Sequence, residues 1–158
     1  MPTTKNIALV AHDHRKRELV DWVETNFPTI IRHNLICTGT TGRLIEATLQ
    51  NKLLETGQSG QALNLIKLKS GPLGGDQQLG AMIAEGRIDM IIFLWDPMEP
   101  HPHDVDVKAL LRIAVVYNIP IACNRATADY VVSSPLINQE YKAVTVDFSD
   151  YVNRPICP

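Results

Sequence analysis

The sequence predicts an α/β fold: a Rossmann-like, doubly wound, mainly parallel five-stranded sheet with helices on both faces, in a single domain. Two observations support this prediction. Short apolar runs alternate with helix-period segments along the chain, which is the pattern of a parallel sheet covered on both faces. Polar loops follow the apolar runs, at the edge where such sheets bind ligands. The length of 158 residues suits one domain, so we expect that domain to cover residues 1–158.

Five strands are expected where apolar runs end at turn residues. These runs lie at residues 7–11, 35–37, 62–68, 90–95 and 121–123. Continuous apolar runs of this length are typical of strands that are buried on both faces. A weaker strand pattern occurs at residues 143–146.

Helices are expected between the strands, because apolar residues recur there at helical spacing. The first expected helix has Leu19, Val20, Val23 and Phe27 on its buried face, and the second covers residues 43–55. The third has Leu79, Met82 and Ile83 on its buried face. The fourth covers residues 107–117, with Leu110, Leu111, Ala114 and Val115 pointing inward, and the fifth covers residues 126–133. Pro28 and Gly86 are interpreted as helix stops.

Composition excludes several classes of protein. The formal net charge of −2 argues against a general nucleic-acid or anionic-membrane binder, since both usually carry a basic excess. The chain has three cysteines and no CxxC pair. An odd number of cysteines suits a reducing cytoplasm, and the spacing does not match a zinc finger. The early apolar run at 7–11 is too short for a signal peptide or a membrane span. We therefore expect a cytoplasmic protein.

The most informative loop is Ser70-Gly71-Pro72-Leu73-Gly74-Gly75-Asp76-Gln77-Gln78. Glycines let backbone N–H groups approach an anion, and Asp76 stands where a helix is expected to begin. Asp76 is also a plausible helix cap, because Asp is a favoured capping residue. Two glycine sites and a proline exceed what one cap needs, so we favour a general base.

A second loop, Thr38-Gly39-Thr40-Thr41-Gly42, offers three hydroxyl groups at a strand-to-helix junction. It suits a phosphate site built from N–H groups, hydroxyls and the helix dipole; a Thr-capped helix start explains the same residues. Lys16 is either a phosphate partner or a solvated helix charge. Neither a GxGxxG fingerprint nor a P-loop is present, which disfavours nucleotide binding.

Histidine-rich loops raise the question of a metal. His12-Asp13-His14 and His101-Pro102-His103-Asp104 follow the first and fourth strands, and imidazole and carboxylate groups there suit a metal-dependent phosphohydrolase. Two HxH pairs are weak evidence for a metal site, however, and a role as surface-loop histidines is the better explanation for His14, His33 and His101. All the polar loops, including Asn124-Arg125 after the fifth strand, are expected at one edge of the sheet, where one cleft accommodates them.

Taken in order, these segments resemble the methylglyoxal synthases. The resemblance covers residues 7–14, 38–42, 70–78, 93–97, 102–112, 118–122 and 126–129. It implies a cytosolic lyase that converts dihydroxyacetone phosphate to methylglyoxal and inorganic phosphate, a bypass of glycolysis. It also implies an allosteric homohexamer that needs no cofactor or metal and is inhibited by its product phosphate. A non-catalytic regulatory module is an alternative, since related domains serve as effector-binding parts of larger enzymes.

The resemblance also implies which residues act. The catalytic residues would be Asp76, His103 and Asp106, and the substrate contacts His12, Asp13, Lys16, Thr38, Gly39, Thr40, Thr41, Ser70 and Gly71. Two regions depart from the family pattern. The stretch between Gly42 and Ser70 is longer than in compact members, and residues 152–158 match poorly, so Arg154 is only a tentative counterpart of an arginine that the family uses near its end.

Overall fold

The computed structural model describes residues 1–100 and 102–155. Its centre is a sheet of five strands, all parallel, with the spatial order β3-β2-β1-β4-β5. The strands are β1 (Asn6–Ala11), β2 (Asn34–Cys37), β3 (Leu65–Lys67), β4 (Met90–Leu94) and β5 (Ile121–Ala122). This order confirms the predicted Rossmann-like, doubly wound sheet.

Helices cover both faces of the sheet. They are α1 (Lys16–Thr25), α2 (Phe27–Ile30), α3 (Gly39–Glu55), α4 (Gly75–Ala84), α5 (Asp104–Val116), α6 (Arg125–Ser133) and α7 (Ser149–Val152). Helices α1, α3 and α6 contribute buried side chains to the core on one face, and α4 and α5 to the core on the other. None of the helices in the described ranges is long and apolar enough to cross a bilayer.

Strand β1 shows why the strands read as uninterrupted apolar runs. Ile7 and Leu9 point into one core, whereas Ala8 and Val10 point into the other, because successive side chains of a strand face opposite sides of the sheet. All four are buried. A strand in the middle of a two-faced sheet therefore has no solvent-facing position for a polar residue.

The sheet order places a crevice between β1 and β4. From β1 the chain continues to β2 on one side, and from β4 it continues to β5 on the other side. The connections thus diverge beyond the carboxyl ends of these two paired strands, which is the usual ligand position in open α/β sheets. The loops after β1 and β4 border this crevice directly.

Five expectations about the elements need correction. Helix α3 begins at Gly39 and not near Arg43, so the threonine-rich loop is the first turn of a helix. Pro28 lies in the first turn of α2 and does not simply end the preceding helix, which fits the missing N–H of proline. Strand β3 is shorter than predicted, because this edge strand has one neighbour, β2.

The last two corrections concern apolar residues at the surface. Val115 is exposed, so the buried stripe of α5 consists of Val107, Leu110 and Ala114. Residues 143–146 form no strand, and Val144 is 80% exposed. Within the described ranges no strand pairs with residues 143–146. The segment therefore gains none of the hydrogen bonds of a sheet, although its apolar residues alternate as in a strand.

Candidate active site

A cavity of about 210 Å³ lies at the crevice between β1 and β4. It brings together residues from four strand-to-helix loops, as the topology predicts. Ten of the predicted site residues line it: His12, Asp13, Lys16, Thr38, Thr40, Thr41, Ser70, Gly71, Asp76 and His103. Four further residues line the cavity that the sequence does not predict as site residues: Val10, Ala11, Pro72 and Phe93. Their sequence pattern indicates only core or loop positions.

Two glycines shape the loop that carries Asp76. Gly74 has a φ of +97°, in the left-handed region that side chains rarely adopt. A Cβ on Gly75 would lie 2.1 Å from the carbonyl oxygen of Lys69, so only glycine fits. Gly74 occupies the N-cap position, and Asp76 is the second residue of α4. Asp76 is therefore not the cap of this helix, and its carboxylate remains available to the cavity.

The Asp76 carboxylate is buried and faces one imidazole. The residue is 5% exposed, and its Oδ2 atom has no hydrogen-bond partner within the described part of the chain. His103 Nε2 lies 3.8 Å from that oxygen. Desolvation raises the pKa of Asp76, His103 opposes this rise, and the charge of Asp106 adds to it. A raised pKa makes the ionised carboxylate a stronger base, which suits it to abstracting a proton.

Gly71 keeps the space beside these two groups open. A Cβ at this position would lie 2.9 Å from Asp76 Oδ2 and 3.1 Å from His103 Nε2. Any side chain larger than hydrogen would therefore enter the space between the carboxylate and the imidazole. The sequence marked Gly71 as a substrate contact, and the structure places it next to both titratable groups.

The other end of the cavity is suited to an anion. Thr38 is the N-cap residue of α3 and makes no side-chain cap hydrogen bond. The N–H groups of Thr40 and Thr41 lie in the first helical turn, where no intrahelical acceptor is available to them. The Lys16 side chain lines the same cavity and forms an ion pair with Asp13. A helix N-terminus, hydroxyl groups and an ammonium group favour a phosphoryl group here.

Gly39 differs from the threonines beside it. Its N–H donates to the carbonyl oxygens of Leu68 and Lys69, at 3.1 and 3.2 Å, and it does not line the cavity. A Cβ on Gly39 would lie 2.2 Å from Ser70 Oγ. Gly39 thus allows the loops after β2 and β3 to approach each other closely, and its N–H is not available to a phosphate.

His12 is held by the loop after β4. Its Nδ1 atom accepts a hydrogen bond from the backbone N–H of Asp96, over 3.2 Å. Its ring makes edge contacts with Phe93 and His103, at centroid distances of 5.2 and 5.8 Å. A neutral imidazole that accepts at Nδ1 carries its proton on Nε2, so His12 is a hydrogen-bond donor through that atom.

Several predicted residues lie outside the cavity. Asp106 does not line it and borders an adjacent depression that also touches Asp76. Asn124 and Arg125 line a different depression, which corrects the expectation of one cleft for all five loops. His14 is 70% exposed, whereas His33 is buried away from the cavity. His101 lies outside the described residues.

Comparisons with known proteins identify the family of this chain. The family model described as "MGS-like domain" matches residues 18–123. The methylglyoxal synthase of Maridesulfovibrio salexigens is 54% identical over 157 residues, covering 99% of this chain and 100% of that protein. The methylglyoxal synthase of Oleidesulfovibrio alaskensis is 52% identical over 154 residues, covering 98% of this chain and 97% of that protein.

A solved structure gives the same result. The crystal structure of methylglyoxal synthase from Elizabethkingia anophelis matches with a TM-score of 0.87 at 50% identity, and covers 99% of this chain and 95% of that one. The alignments to these proteins extend through the C-terminal segment in which the resemblance was weakest. By its fold, its sequence and the residues around its cavity, this chain belongs to the methylglyoxal synthase family.

Proposed function

We propose that this protein is a lyase that converts dihydroxyacetone phosphate to methylglyoxal and inorganic phosphate, with Asp76 as the general base. The observation that carries the assignment of the base is the buried Asp76 Oδ2, which lies 3.8 Å from His103 Nε2. The phosphoryl group binds at the N-terminus of α3 and near Lys16. The carbon chain of the substrate then extends toward Asp76 and His103.

The first step is removal of a proton. Asp76 takes it from the hydroxymethyl carbon, and the electron pair moves toward the ketone oxygen to form an enediolate. A carbon acid of this kind is acidic only if the developing charge on oxygen is stabilised. His103 and His12 line the cavity, and a neutral imidazole donates a hydrogen bond to such an oxygen.

The second step breaks the bond between carbon and the phosphate oxygen. The terminal enediol hydroxyl loses its proton, phosphate leaves with the bonding electron pair, and the remaining enol aldehyde gains a proton on its terminal carbon to give methylglyoxal. This elimination requires the bond to phosphate to lie out of the enediolate plane, so that it overlaps the π system. The phosphate-binding end of the cavity therefore determines the outcome by orientation.

The proposal also extends to the protein as a whole. Residues 1–158 form one methylglyoxal-synthase-like domain. This domain acts in the cytoplasm on dihydroxyacetone phosphate and needs no cofactor. It has no nucleic-acid or membrane partners. Product phosphate binds at the same end of the cavity and inhibits. The chain assembles as a homohexamer with allosteric linkage between its sites. Its reaction diverts a triose phosphate from glycolysis.

One experiment tests the activity and separates it from the alternatives. Purified protein is incubated with dihydroxyacetone phosphate in the presence of a chelator, and methylglyoxal, free phosphate and dihydroxyacetone are measured. We expect methylglyoxal and phosphate in equal amounts. A metal-dependent phosphohydrolase would be inactive with the chelator and would release phosphate and dihydroxyacetone once a divalent metal ion is added in excess. A regulatory module would release neither under either condition.

The Asp76→Asn variant tests the assignment of the base. Loss of a positioned acid–base group costs at least about a hundredfold in turnover. Exchange of substrate hydrogen with solvent should be lost together with turnover, because the same proton transfer underlies both. Exchange at the normal rate in Asp76→Asn would place the base elsewhere, with Asp106 and Asp13 as the next residues to test.

A further inference from the structure

We propose that His14, Asp96 and Glu99 form a binding site for a divalent transition-metal ion, with Zn²⁺ as the reference ion, beside the substrate cavity. None of the three side chains belongs to the set that lines that cavity. His14 follows β1, and Asp96 and Glu99 belong to the loop after β4. The site is thus distinct from the catalytic groups and has no part in the lyase reaction.

The distances between the donor atoms suit one ion. His14 Nδ1 lies 3.1 Å from Glu99 Oε2 and 3.8 Å from Asp96 Oδ2. All three donor atoms lie within 4.8 Å of one another. Zinc binds nitrogen and carboxylate oxygen at about 2.0–2.2 Å in a tetrahedral arrangement, which separates its ligands by roughly 3.4 Å. Small side-chain adjustments therefore bring all three atoms onto a common ion.

The charges of the cluster also favour a cation. Two carboxylates meet here, and within the described ranges His14 is the one basic side chain within 4 Å of either. Asp96 is buried, and its Oδ1 atom accepts a hydrogen bond from the backbone N–H of Met98, which leaves Oδ2 toward His14. The Glu99 side chain is 39% exposed, but its Oε2 atom is buried and lies 3.1 Å from His14 Nδ1. Neighbouring cations are engaged elsewhere, Arg15 with Glu18 and Lys16 with Asp13. Two carboxylates that share one imidazole repel each other, and coordination to a metal ion would offset that repulsion.

A bound ion would join two loops that meet at the active site. One of them contains His12 and Asp13, and the backbone N–H of Asp96 in the other fixes the imidazole of His12. Binding to the folded state alone raises its stability in proportion to the logarithm of the free ion concentration. The expected function of the site is therefore to stabilise the loops around the cavity.

The test uses the full chain, first freed of metal with a chelator and then titrated with Zn²⁺ by calorimetry in a buffer without phosphate. We expect one ion per chain and a higher melting temperature with Zn²⁺. His14→Ala and Glu99→Gln should each weaken Zn²⁺ binding by at least about tenfold and remove the thermal shift. With chelator present, both variants should turn over substrate like the wild type, because neither residue lines the cavity.

Two controls locate the ion. Glu85→Gln changes an exposed carboxylate at the C-terminus of α4, away from the proposed site, where Glu85 pairs with Arg87. This variant should leave Zn²⁺ binding unchanged. His103→Gln should also retain it. The proposal is overturned if the wild type binds no Zn²⁺, if His14→Ala or Glu99→Gln binds it normally, or if His103→Gln abolishes binding, which would place the ion in the substrate cavity. These results do not depend on the lyase assay.

Discussion

The backbone N–H of Asp96 donates a hydrogen bond to Nδ1 of His12, over 3.2 Å. This contact links the loops after β1 and β4, the two paired strands between which the cavity opens. Because Nδ1 is occupied as an acceptor, the proton of the neutral ring is on Nε2. A main-chain group thus sets the tautomer of a cavity-lining side chain, and among substitutions of Asp96 only proline removes that donor.

His103→Gln should lower turnover by at least about a hundredfold and change substrate affinity much less. In the wild type, His103 Nε2 lies 3.8 Å from Asp76 Oδ2. Glutamine keeps a hydrogen-bond donor at position 103, but unlike an imidazole it cannot accept and release protons near neutral pH. Steady-state kinetics with separate kcat and KM values measure the effect. A large rise in KM with unchanged kcat would assign His103 to substrate binding alone.

The pH profile should show the influence of Asp106 on Asp76. The base must be ionised, so kcat/KM should fall as the pH drops through the pKa of Asp76, which burial raises above its ordinary value. The Asp106 charge adds to that rise. Asp106→Asn should therefore move the acidic limb of the profile to lower pH. An unmoved limb, or one that moves to higher pH, would contradict this electrostatic role.

The turn before Asp76 could be recognised in the sequence for a local reason. Gly74 and Gly75 are required by a positive φ and by a close approach to Lys69, and both constraints leave a visible signature in the residues themselves. The position of Phe93 had no such signature. Its contact with His12 depends on the parallel pairing of Val10 with Phe93, and register between strands is not encoded in either strand alone.

The start of α3 was missed for a related reason. Threonine and glycine are poor helix formers, so residues 39–42 predict a loop. The structure begins the helix there because the N–H of Gly39 bonds to carbonyl groups of the neighbouring loop after β3. Tertiary contacts override local propensity at this point. As a consequence, a helix N-terminus itself lies at the end of the cavity that we propose to bind the phosphoryl group.

Asp76→Asn should stabilise the protein at neutral pH. The folded pKa of Asp76 is raised above the unfolded value near 3.8, so the folded state binds this proton more tightly. The resulting stabilisation is present below the unfolded pKa and is lost as the pH rises through the folded pKa. Above that pH the wild type bears the cost of a buried charge that the amide lacks.

Thermal unfolding at two pH values tests this sign. The melting temperature of Asp76→Asn should exceed that of the wild type at about pH 7.5, and the difference should disappear at about pH 3, where both side chains are neutral. A less stable variant at pH 7.5 would mean that the carboxylate contributes to folding and is not maintained at a cost for catalysis.

Lys16→Ala should weaken inorganic phosphate and dihydroxyacetone phosphate together. The ammonium group lines the cavity beside the N-terminus of α3, and there it acts on the phosphoryl oxygens and not on the reacting carbon. The inhibition constant of phosphate and the KM of the substrate should rise by similar factors. Lys52→Ala removes a partly exposed lysine from the far end of α3 and should change neither constant. Phosphate inhibition that is unchanged in Lys16→Ala would exclude this lysine from the phosphate site.

Gly71→Ala should reduce kcat strongly while leaving the fold intact. The backbone of Gly71 has no positive φ, so alanine is not strained there. Its methyl group, however, would lie 2.9 Å from Asp76 Oδ2 and 3.1 Å from His103 Nε2, so the two groups must move apart or lose access to the substrate. Misplacement of reacting groups by about 1 Å costs roughly a hundredfold.

Gly80→Ala is the matched control for this substitution. Gly80 lies within α4, and a Cβ there would meet no atom within 4 Å. Alanine in a helix is favoured over glycine by about 1 kcal/mol, so Gly80→Ala should raise the melting temperature and keep full activity. Gly71→Ala should melt close to the wild type and lose turnover. Equal activity of the two variants would show that the space beside Asp76 and His103 is not required for the reaction.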